Sequence, residues 1–101
     1  MIKEHGRFQL ESTKLGRSVI FQVTVFEKVD RRRTSLFAET QCSDPYQFII
    51  QFVIKDAESM DELISRFIVQ LAHRGFSPDR YRVFKEGWGE WIHVEGESSA
   101  A

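Results

Sequence analysis

The sequence predicts an α+β fold, a curled antiparallel β-sheet of about five to six strands packed on one α-helix, in the order β-β-β-β-α-β-β. Three observations carry this. Residues 7 to 57 keep a hydrophobic period of two, Ser59 to Pro78 switch to a helical period, and the remainder returns to short alternating runs. The span 1–96 is expected to form a single domain, with 97–101 as a flexible tail.

In the first strand, Phe8 and Leu10 alternate with Arg7, Gln9 and Glu11. Lys14-Leu15-Gly16-Arg17 follows as a turn, Gly16 being free to take a positive φ. Val19, Phe21, Val23 and Val25 give the cleanest alternating face. Asp30-Arg31-Arg32-Arg33 breaks the pattern as a hairpin loop. Leu36, Ala38, Thr40 and Cys42 share the next face, and Ser43-Asp44-Pro45 signals another turn.

The run Tyr46 to Lys55 fits a strand carrying Phe48, Ile50, Phe52 and Ile54 on one face, or a helix. Its aromatic and β-branched content favours the strand. Ser59 and Glu62 form an S-x-x-E capping box that opens the helix. Met60, Leu63, Ile64, Phe67, Ile68, Leu71 and Ala72 recur along one helical face. Gly75 supplies the left-handed stop, Phe76 is placed to pack on Leu71, and Pro78 forbids continuation. Tyr81–Lys85 and Trp91–Glu95 read as a hairpin around Glu86-Gly87-Trp88-Gly89.

Composition bounds the function. The chain has 101 residues and a formal net charge of −1, so no global field draws nucleic acid or anionic membrane. Its single cysteine excludes an intrachain disulfide and suits a reducing compartment. MIKEHGRF lacks the apolar stretch of a signal peptide, and a cytoplasmic location with no membrane association is expected. His5, His73 and His93 have no ligand-spaced neighbours, so no metal or other cofactor is expected. Cys42 reads as a small buried hydrophobe, and no nucleophile elbow or phosphate loop occurs. The chain is expected not to be an enzyme. A ligand carrier would need a pocket near Cys42, His93 or the acidic turn of Glu86 and Glu90.

The remaining signal is surface. A helix of about fifteen residues covers two or three strands, which leaves apolar residues of the opposite parity without cover. These include Ile20, Phe26, Phe37, Ile49 and Val53, with Trp91 as a further member. A contiguous patch of this kind marks an interface. The expectation is a protein-interaction module (adaptor, assembly factor or inhibitor) that binds another protein or itself as a homodimer. Its expected partner-binding residues are Arg31, Arg32, Arg33, Phe37, Ile49, Val53, Trp88 and Trp91, since Trp and Arg favour binding hot spots. The alternative is a nucleic-acid-binding module in which Arg31 to Arg33, Arg80 and Arg82 meet phosphates and the aromatic residues stack on bases.

Overall fold

The computed structural model describes residues 2–31, 33–43 and 49–94. Six strands, β1 (Ile2–Lys14), β2 (Arg17–Asp30), β3 (Arg33–Ser43), β4 (Ile49–Ala57), β5 (Ser77–Phe84) and β6 (Ile92–His93), accompany one helix, α1 (Met60–His73). They form one antiparallel sheet in the spatial order β4-β3-β2-β1-β5-β6. The element order and fold class match the expectation, and the ambiguous run is a strand from Ile49 on. β1 begins at Ile2 rather than near residue 7, because its pairing with β2 continues to Ile2↔Lys28. The expected tail at 97–101 lies outside the described residues.

Each junction follows from local chemistry. Leu15 and Gly16, at φ 53° and 75°, make the two-residue left-handed turn that matches strand twist. At the helix start, Ser59 Oγ accepts the Glu62 amide at 3.1 Å. The Glu62 carboxylate reaches back 2.9 Å to the amide of Glu58, one residue further than a capping box places it. At the other end the Phe76 amide donates to Leu71 O and the Gly75 amide to Ala72 O, with Gly75 at φ 83°. This is a Schellman stop, and Phe76 and Leu71 both enter the core.

The expected faces converge. Phe8 and Leu10 of β1, Phe21, Val23 and Val25 of β2, Leu36 and Ala38 of β3 and Ile54 of β4 are buried beneath Leu63, Ile64, Phe67 and Leu71. Phe67 sits edge-on to Phe8 and Phe21, with ring centroids 5.6 and 5.8 Å apart. Ala72, expected on this face, is exposed, because the helix turns it away in its last turn. On its flank α1 reaches the rim of the sheet. Arg66 donates to Lys55 O at 2.7 Å and Gln70 to Val53 O at 3.4 Å, which caps two carbonyls of edge strand β4.

One buried polar group stands out. Ser12 is 0% exposed, beside the register shift between Glu11 and Ser12, and its hydroxyl has no hydrogen-bond partner. Removing an unsatisfied hydroxyl relieves its desolvation cost. Ser12→Ala is therefore expected to leave the urea midpoint unchanged or raise stability by about 1 kcal/mol.

Candidate protein-docking face

Residues directly opposite one another in an antiparallel pair share a face. That rule assembles a row across the sheet on the side away from α1. Phe37 pairs with Phe26, Phe26 with Glu4, Arg7 with Phe84, and Phe84 bridges to Trp88. The register shift between Glu4 and Gly6 accommodates His5 as an extra residue, so Glu4 and Arg7 reach the same face despite their odd spacing. Phe26 and Phe37 stack at 5.6 Å and 25°, and Phe84 meets Trp88 edge-on at 5.3 Å. Glu4 and Arg7 form an ion pair at 3.3 Å, and the Arg7 guanidinium lies 5.6 Å from the Phe84 ring. The row therefore reads aromatic pair, ion pair, aromatic pair.

At the β5 end the row runs into a ladder of tryptophan and arginine. The Arg82 guanidinium lies 4.9 Å from the Trp88 ring centre and 4.6 Å from that of Trp91. Arg80 lies 4.4 Å from Trp91. These contacts hold the chain after β5 against the sheet, because flat guanidinium groups stack on aromatic rings. Arg80 also donates to Glu11 at 2.9 Å and Arg82 to Gln9 at 2.8 Å. Gly89 approaches the sheet closely: a Cβ there would lie 3.2 Å from Val83 O.

The structure divides the expected site residues. Phe37, Trp88 and Trp91 lie on this face, with Trp88 39% exposed and the other two half-buried. Arg31 and Arg33 are exposed at the β2–β3 turn. Their side chains lie past the row, since Phe26 precedes Arg31 by five residues along the chain. Arg32 and the side chains of Cys42 and Ile49 lie outside the described residues. Val53 of β4, 41% exposed and opposite Glu39 of β3, and Ile20 of β2, 49% exposed and opposite Glu11 of β1, also lie on the side away from α1. Because β3 lies between β2 and β4, Ile20 and Val53 do not adjoin. The continuous feature is the aromatic row. Sequence reasoning missed Glu4, Arg7 and Phe84 as members of it, since the β1–β5 pairing joins residues about seventy positions apart.

A cleft of about 740 Å³ opens between the start of α1 and the turn after β5, and Gly6, Met60, Trp88 and Glu86 help line it. It adjoins the acidic turn where a ligand carrier would need a pocket. His5 also lines the cleft, and Glu27 is held below the usual carboxylate value of 4.5 by hydrogen bonds from Lys3 and His5, at 3.0 and 3.2 Å. Among the described residues no three metal-ligating side chains converge, and no helix is long and apolar enough to cross a membrane. No protein-family model matches the chain, and comparison with curated proteins and with solved structures gave no match.

Proposed function

We propose that this chain is a small cytosolic protein-interaction module, an adaptor, assembly factor or inhibitor, that works by occupying a protein surface rather than by catalysis. The observation that carries the reading is the aromatic row from Phe37 to Trp88 on the sheet face that α1 leaves uncovered. Large, partly buried aromatic side chains around a charged pair have the make-up of an interface core. A nucleic-acid surface draws on guanidinium groups free for phosphate and rings open for stacking. Here Arg80 and Arg82 are bonded to Glu11 and Gln9, and both stack on Trp91. That arrangement weighs toward a protein partner.

The test compares the native chain with Phe37→Glu, which plants a charge in the row. Affinity capture from the organism's own extract should retain a protein, the chain itself included, with the native form and lose at least nine-tenths of it with the variant. Equal recovery by both forms, together with no binding of a hydrophobic dye to the native protein, would overturn the reading.

A further inference from the structure

The order of groups along the row carries one step more. On either side of the Glu4–Arg7 ion pair stand two aromatic residues, Phe26 and Phe37 toward β3, Phe84 and Trp88 toward the final turn. A row that reads aromatic pair, ion pair, aromatic pair from either end is self-complementary, which an isologous twofold contact requires. We propose that the occupant of this face is a second copy of the chain, packed sheet against sheet. This rests on the reading of the face as a protein-docking surface.

The twofold axis lies in the interface and crosses β1 obliquely. It sets Phe26 and Phe37 of one copy against Phe84 and Trp88 of the other. It also brings each Glu4 to the second copy's Arg7. Area agrees with this occupant. A standard interface buries about 800 Å² per partner. Four strand spacings by ten residues of strand give the face a footprint of roughly 600 Å², which suits a contact of that class.

Charge reversal makes the test specific. Glu4→Arg sets an introduced guanidinium against the second copy's Arg7, and Arg7→Glu sets two carboxylates together. The intrachain pair is half-exposed, so neither change should unfold the domain, which circular dichroism checks. Sedimentation equilibrium of the native chain should give twice 11.8 kDa at micromolar concentration. Each variant alone should dimerise at least tenfold more weakly. An equimolar mixture of the two should recover the native mass, because every crossed contact then pairs arginine with glutamate. A native chain that stays at 11.8 kDa up to millimolar concentration, or a mixture no heavier than its components, would overturn the twofold contact. The docking reading would then be judged separately by the Phe37→Glu capture, which does not depend on the chain's own mass.

Discussion

Phe67→Ala is expected to remove about 3–5 kcal/mol, among the large losses available from one side chain in this fold. Phe67 is 1% exposed and lies at the centre of the helix–sheet contact, edge-on to both Phe8 and Phe21. Truncation forfeits the transfer energy of the ring and the edge-to-face contacts, and leaves a cavity that β1 and β2, fixed by their ladder, cannot close. A domain of this size has about 5–15 kcal/mol in total. With a urea slope of about 1.5 kcal/mol/M, the midpoint should fall by about 2–3 M. A fall of less than about 0.5 M would mean that the helix does not derive its hold on the sheet from this ring.

Arg82→Ala is the second large effect, and it should act locally. The variant loses two stacked rings and leaves the buried amide oxygen of Gln9, a residue 7% exposed, without its donor at 2.8 Å. Stacking at partly exposed sites contributes about 0.5–1 kcal/mol each. The orphaned acceptor costs about 1–3 kcal/mol, so about 2–5 kcal/mol is expected in all. The loss should appear where the ladder holds the chain. The amides of Gly89 and Val94, which donate to Val83 O and Asp79 O, should exchange much faster, while those of α1 keep their protection. Tryptophan emission should shift to the red. Arg82→Lys should restore little, because an ammonium lacks the flat face that stacks between rings. Unchanged exchange at Gly89 and Val94 would assign the ladder no structural role.

The fold was legible where the signals are local. The Ser59 cap, the Gly75 stop and the alternation of Val19 to Val25 each act within a few residues, and each is found in place. The helix start differs by one bond, at Glu58, because the choice between two adjacent amides depends on the angle at which β4 enters the helix. The candidate docking face was legible only in part. Phe37, Trp88 and Trp91 are marked by residue type, but the row that connects them is created by pairing. Arg7 joins Phe84 through the β1–β5 register, and Glu4 joins Arg7 through the extra residue His5. Alternation within one strand says which residues share a face. It cannot say which strand lies alongside, or that a bulge has reset the parity.

The two side chains that α1 sends to the rim of the sheet have a consequence for growth. Open-ended strand-on-strand stacking requires an accepting border at both sides of every unit. Arg66 and Gln70 occupy the acceptors at Lys55 and Val53 on one border, and the opposite border is the two-residue β6. A molecule finished in this way resists addition of strands in its own plane at those positions. What it still offers is its broad face, where the proposed twofold pairing would use the surface up and stop assembly at a particle of fixed size.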